Sequence, residues 1–147
     1  MQRRLTKSVF LCLTVISLAL AACSRSGDLQ AYAALIGMTK TEMAQRLKDE
    51  PTPIDEGGVA FPTSGLRAWF DENGRAVDIY IDSKDVDFEG ARIGDTVESF
   101  KEAFGAPINE NTESAYAVFA HEGLFLDVNY DPATGVVVAV HLLVEYQ

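Results

Sequence analysis

The chain has 147 residues, 22 of them acidic and 12 basic, with two cysteines and two histidines. A net charge of −10 excludes a phosphate-neutralising nucleic-acid surface. The length suits one domain with a packed core.

In chain order, Arg3, Arg4 and Lys7 form a cationic start, Val9 to Leu20 an apolar run, and Leu20-Ala21-Ala22-Cys23 a small-residue close. This is the layout of an export signal, too short and wrongly flanked for a spanning helix. Its last four residues resemble the lipobox of bacterial lipoproteins. The resemblance implies a signal peptide over 1–22, cleavage before Cys23, lipidation of its sulfur and an acylated new amino terminus. Several acyl chains hold firmly where one alone is marginal. Ser24 follows, where an aspartate would imply inner-membrane retention, so an outer-membrane lipoprotein facing the periplasm is expected. An ordinary secretory peptide with a chance cysteine is the alternative.

Removing 1–22 leaves nine basic residues against 22 acidic, a net charge of −13. Such a surface offers no polybasic attraction to lipid, and a cationic protein partner steered by charge is the functional reading. Acids that only keep the domain soluble are the alternative. Cys12 leaves with the signal and Cys23 carries lipid, so no disulfide remains and packing must hold the fold.

Residues 23–35 read as the lipidated cysteine with a linker or short helix (28–36), and 36–147 as one domain that says one thing twice. Ile36-Gly37-Met38-Thr39 is matched by Ile93-Gly94-Asp95-Thr96. Thr39 and Thr96 are expected N-caps, followed by Glu42 and Glu98, and Met43 and Leu47 mirror Phe100 and Phe104 at helical spacing. Pro51 and Pro107 are expected to stop the helices. Gly65 to Phe70 then parallels Gly123 to Val128, with turns at Asp71-Glu72-Asn73-Gly74 and Asp131-Pro132-Ala133-Thr134-Gly135. Val77, Ile79 and Ile81 alternate like Val138, Val140 and Leu142, as a half-buried strand requires. A preceding strand is expected at 115–121, and a weaker one at 59–61 before Pro62. The expected fold is α+β: two tandem α-β-β-β units (36–82 and 93–144) forming one antiparallel sheet with helices packed on one face. A chance echo of helix-then-hairpin is the alternative. The connector 83–90 reads as solvated charge.

This pattern resembles two groups of secreted bacterial proteins, the β-lactamase inhibitor protein with its two helix-plus-sheet repeats, and small outer-membrane-assembly lipoproteins of the SmpA/OmlA type with one. The resemblance implies binding of another protein, in the inhibitor through the open sheet face, and no enzymatic activity. The chain lacks the inhibitor's cysteines, so the likeness concerns architecture.

Catalytic chemistry is not legible. His121 and His141 lie in strand-like segments without a cysteine, second histidine or carboxylate at ligand spacing, and read as surface or edge-strand histidines. No nucleophile elbow or phosphate-cradling loop is present, and Ser64 reads as a turn residue. Asp82, Asp85, Asp87 and Glu89 lack the spacing of a calcium loop. No catalytic residue, metal or cofactor is assigned.

The face opposite the helices is more informative. With Leu66, Ala68, Phe70, Val77, Ile79 and Ile81 inward, Arg67, Trp69, Asp78, Tyr80 and Asp82 point outward. The same register in unit two exposes Phe125, Asp127, Asn129 and His141. Aromatic rings with an arginine and flanking acids are the composition of a binding hot spot, unless a loop or the N-terminal segment covers them as core. The expected function is that of a lipid-anchored, non-enzymatic envelope protein that binds a periplasmic or envelope protein, as an inhibitor or immunity protein against an enzyme or toxin. An outer-membrane assembly or scaffold subunit is the alternative. Cys23→Ala should abolish metabolic lipid labelling and leave an uncleaved or soluble form; undiminished labelling would end the anchor assignment.

Overall fold

The computed structural model describes residues 27–55 and 57–146; the signal segment, the lipobox and Cys23 lie outside the described residues. Among the described residues three short helices, α1 (Gly27–Ala33), α2 (Lys40–Leu47) and α3 (Val97–Phe104), accompany eight strands. These are β1 (Thr52–Pro53), β2 (Val59–Phe61), β3 (Leu66–Phe70), β4 (Ala76–Ile81), β5 (Asn109–Asn111), β6 (Tyr116–His121), β7 (Leu124–Tyr130) and β8 (Val137–Leu143).

Local chemistry explains where the helices begin and end. The Glu42 N–H donates to Thr39 Oγ1 at 3.2 Å while the Thr39 N–H donates to Glu42 Oε2 at 2.7 Å, a reciprocal cap on α2. Thr96 occupies the same position before α3 but makes no side-chain cap bond; its backbone bridges Val136 instead. The helices close before the prolines reach them, α2 at Lys48 in the left-handed region (φ 54°) and α3 at Gly105 (φ 84°). The two hairpin turns follow the expected aspartate chemistry. Asp71 Oδ1 accepts the N–H groups of Asn73 and Arg75, and Asp131 Oδ1 those of Ala133 and Thr134, all within 2.8–2.9 Å.

All eight strands form one antiparallel sheet in the order β1-β2-β3-β4-β8-β7-β6-β5. The two meanders meet at the centre, where Asp78, Ile79, Tyr80 and Ile81 of β4 pair with Leu143, Leu142, His141 and Val140 of β8. The edge strands β1 and β5 have no alternating apolar pattern to announce them. One carries Pro53 and the other reads Asn-Glu-Asn, which suits short edges that discourage further pairing.

One face of the sheet carries the core. Val59, Phe61, Leu66, Ala68, Ile79, Ile81, Ala117, Phe119, Leu126, Val128, Val140 and Leu142 are buried in a single cluster with Leu29 of α1, Met43 of α2 and Phe100 of α3. The alternation expected of β4 and β8 is corrected at one point in each. A register shift between Trp69 and Phe70 pairs Phe70 with Ala76 rather than Val77, and a second between Asn129 and Tyr130 pairs Tyr130 with Val137. Ala76 and Val137 are therefore the buried residues, Val77 is half-buried, and Val138 is 52% exposed. A bulge adds one residue to one strand and reverses which neighbour faces inward.

The connector is also corrected. Val86, Phe88 and Asp87 are all buried, with Phe88 packed 5.6 Å from Phe100 between ring centres. The Asp87 carboxylate accepts the Gly90 N–H at 2.8 Å and faces Arg92 at 3.4 Å, and the Asp87 N–H donates to Asp28 of α1 at 3.2 Å. Val86, Asp87 and Phe88 thus form a plug that fastens α1 to the core, while Asp82, Asp85 and Glu89 are exposed as expected. A second buried carboxylate, Asp49, works against burial, which would raise its pKa. Hydrogen bonds from Ser64 and Thr63 outweigh that and hold it below the ordinary range, the Ser64 N–H lying 2.8 Å away. Phe100→Ala, which empties a fully buried site, should cost about 3–5 kcal/mol in urea unfolding, and Phe104→Ala, half-buried beside it, clearly less.

Candidate functional site on the open sheet face

Strand pairing lays the side chains opposite the core in transverse rows. One row runs Trp69 (β3), Asp78 (β4), Leu143 (β8), Phe125 (β7) and Ala120 (β6). The next runs Arg67, Tyr80, His141, Asp127, Val118 and Asn109 over the corresponding strands and β5. Asn129 lies between Ala139 and Tyr116 in a third. Asp82 follows the end of β4 and is exposed.

His141 is the hub of this face. Its Nδ1 donates to Asp78 Oδ1 across the β4–β8 junction at 2.9 Å, with side-chain exposures of 26% and 23%. Its ring stacks on Trp69 at 6.2 Å between centres and meets the edge of Tyr80 at 5.0 Å. The Arg67 guanidinium lies 5.1 Å above Tyr80, a cation–π contact. Asp127 approaches His141 from the opposite strand, β7. Burial pushes the Asp127 carboxyl above its ordinary range and the Asp78 charge adds to this, while His141 and a hydrogen bond from Asn129 work the other way. His141 is therefore on the central strand and flanked by two carboxylates, not an edge or isolated surface histidine. Asp78 lies 63 residues away, beyond any local spacing rule.

Trp69 owes its position partly to Gly58. A Cβ there would lie 2.6 Å from the Ala68 carbonyl oxygen and 2.9 Å from Trp69 Nε1, so glycine lets the indole lie close to the backbone before β2. Two recesses of about 220 and 420 Å³ flank Arg67, the smaller lined also by Tyr80 and Asp82 and the larger by Pro53, Ile54 and Asp55.

Phe125 belongs to a different cluster. Its ring lies 6.3 Å from that of Tyr146, whose hydroxyl is hydrogen-bonded to Asn109. Tyr116 joins through a hydrogen bond with Tyr146, the main reason its phenol pKa is raised. The C-terminal segment thus packs on the β5-β6-β7 end of the face. Tyr146 and Asn109 went unread because they lie outside the alternating strands that mark a face in sequence. Among the described residues no group of three histidines, cysteines or carboxylates is arranged to hold a metal ion.

No family model matches the chain, and a search of curated proteins returns no match. Solved structures do share its fold. One is an extracellular protein containing an SCP domain from Bacillus anthracis, at TM-score 0.57 and 13% identity over 76% of this chain. Another is a cysteine-rich secretory protein from Staphylococcus aureus, at TM-score 0.58 and 11% identity over 76% of this chain. The match covers 44% of each of those proteins, so the likeness is one of fold to part of a longer chain.

These neighbours overturn the resemblance to the β-lactamase inhibitor protein and the SmpA/OmlA-type lipoproteins. The motifs behind that resemblance have a local cause. Gly37 (φ 81°) and Gly94 (φ 101°) take positive-φ turns and Thr39 caps a helix, requirements of any chain turning into a helix beside a sheet.

The raised Asp127 pKa has a definite sign. Proton uptake by the folded state makes the Asp127 contribution most favourable below the ordinary carboxylate pKa, and it is lost as pH rises through the folded value. Asp127→Asn should therefore stabilise the domain near neutral pH, with the advantage closing on acidification to about pH 3 in paired urea titrations.

Proposed function

We propose that this is a lipid-anchored, non-enzymatic envelope protein that binds another protein through the open face of its sheet. The observation that supports this most is the convergence of Arg67, Trp69, Asp78, Tyr80, Asp127 and His141 on the strands around the β4–β8 junction. Large rings on a rigid sheet bury area at small entropic cost, and half-buried charged groups supply direction. Asp82, Asn129 and Phe125 lie at the margins of this surface. The bond to Asp78 and the flanking Trp69 and Tyr80 rings hold the His141 imidazole in a fixed orientation on this surface.

In its sharper form the protein is an inhibitor or immunity protein of the periplasm, held at the outer membrane by lipid on Cys23 and blocking an enzyme or toxin. Small size and acidity support this form. We also read the two meanders, each following a helix and each interrupted by a bulge at the matching place, as tandem units 36–82 and 93–144.

Capture of envelope proteins by the full chain tests the reading. A single stoichiometric enzyme or toxin supports the inhibitor, whereas barrel-assembly components support the scaffold alternative. Trp69→Ala should weaken the captured complex by about 2 kcal/mol or more while leaving the unfolding midpoint nearly unchanged. A folded Trp69→Ala variant that captures the partner with unchanged affinity would overturn the sheet-face assignment.

A further inference from the structure

We propose that the start of α1 and the tip of the connector are seated on a zwitterionic phospholipid headgroup layer, and that this seating turns the open sheet face away from the bilayer. The inference rests on the lipid anchor proposed above and adds to it the surface that the anchor presents to the membrane. Only Ser24, Arg25 and Ser26 separate Cys23 from Gly27, the first residue of α1. From Cys23 to Gly27 the chain advances four residues, which span at most about 14 Å even when fully extended. Headgroups take up about 5–7 Å of that reach, the difference on each side between a hydrocarbon core of about 30 Å and a bilayer of about 40–45 Å. The start of α1 is therefore held at the membrane surface itself.

Releasing α1 to lengthen the tether would expose Leu29, which is buried in the core cluster, and break the bond from the Asp87 N–H to Asp28 Oδ2 at 3.2 Å. Asp87 in turn accepts the Gly90 N–H at 2.8 Å, which folds the exposed Glu89 turn back against the same point. Around it Asp28, Lys84, Asp85, Glu89 and Arg92 are exposed. Both signs of charge are interspersed, and no large apolar side chain of α1 or the connector is exposed. Such a surface does not enter hydrocarbon and draws nothing from anionic lipid, but it matches headgroups that carry an ammonium and a phosphate together. The open face lies across the sheet from α1. A helix sits on the order of 10 Å from the sheet it covers, with the far side chains beyond that, so the tether cannot bring the anchor round to Trp69 and His141.

A bimane fluorophore on a Glu89→Cys variant tests the seating, because Cys12 leaves with the signal and a lipidated Cys23 has no free thiol. The lipidated protein is reconstituted in vesicles of phosphatidylcholine and phosphatidylethanolamine, with and without a phosphatidylcholine that carries a nitroxide on its headgroup. A tether of about 14 Å keeps the label beside the nitroxides, so its emission should fall about twofold, while that of Trp69, the chain's single tryptophan, should stay unchanged. Twelve Gly and Ser residues inserted between Ser26 and Gly27 raise the mean span to about 22 Å and should restore most of the bimane emission. Undiminished emission at position 89, quenching that the insertion leaves as strong, or stronger quenching of Trp69 than of the bimane overturns the proposal. If Glu89→Cys fails to fold by circular dichroism, the same label on Asp85→Cys and the Trp69 emission of the unaltered chain still decide.

The anchor and its seating fail separately. An unaltered chain that does not float with the vesicles, or whose Cys23 takes up bimane, lacks the lipid, and both readings fall. A chain that floats but shows no quenching at position 89 keeps its anchor and loses only the seating. Capture of a partner through Trp69 enters neither measurement, so the sheet-face reading is decided by its own experiment.

Discussion

The pairing of β4 with β8 is the constraint on which the rest of this structure depends. Four residue pairs join two meanders into one sheet, and without them each half would present an open strand and a half-covered apolar face. The same pairs put Ile79 beside Leu142 and Ile81 beside Val140 on the core side. On the other side they put Tyr80 beside His141 and bring Asp78 within hydrogen-bonding distance of it. One junction therefore closes the core and builds the candidate site. Because side chains alternate strictly across a strand, neither can be shifted by one residue without ruining the other.

Two irregularities keep that junction in register with the turns. The bulges at Trp69/Phe70 and Asn129/Tyr130 lie next to the hairpin turns, where an extra residue changes the side on which each strand leaves. The connector contributes from below, since Val86 and Phe88 enter the core and Asp87 ties the chain to α1 and Arg92. An acidic loop that looks designed for solvent is thus part of what closes the helical side.

The fold recurs in chains at 11–13% identity, as part of proteins more than twice as long as the matched region. Such likeness describes how a helix-and-meander chain packs, and carries nothing about the residues on its open face. On that face this chain carries an arginine on a tyrosine, a histidine between two aspartates and a tryptophan laid against glycine. The opposite end of the face is occupied by the Tyr146 cluster.

Much of this was written locally. Thr39 with Glu42, Asp71 with Gly74, Asp131 with Gly135, and the alternation through Leu66–Phe70 and Ile79–Ile81 are short-range signals, and each led to its element. They also placed Arg67, Trp69, Asp78 and Tyr80 on one face, because period two needs no knowledge of the partner strand. The bulges, the short edges β1 and β5, the burial of Asp87 and the exposure of Val138 were not legible. The burial of Asp87 depends on Asp28, 59 residues away, while the bulges, the short edges and the exposure of Val138 arise within hairpins where no residue type marks the extra or terminal position. The sequence alone determined the helices, the hairpins and the two-sided character of the strands, which arise from bonds and contacts a few residues apart. Only the tertiary structure decided that β8 lies beside β4, that His141 therefore lies between Asp78 and Asp127, and that Tyr146 closes over Phe125. Those contacts join residues 63, 14 and 21 positions apart, and chain closure over such spans is settled by the packing of the whole core.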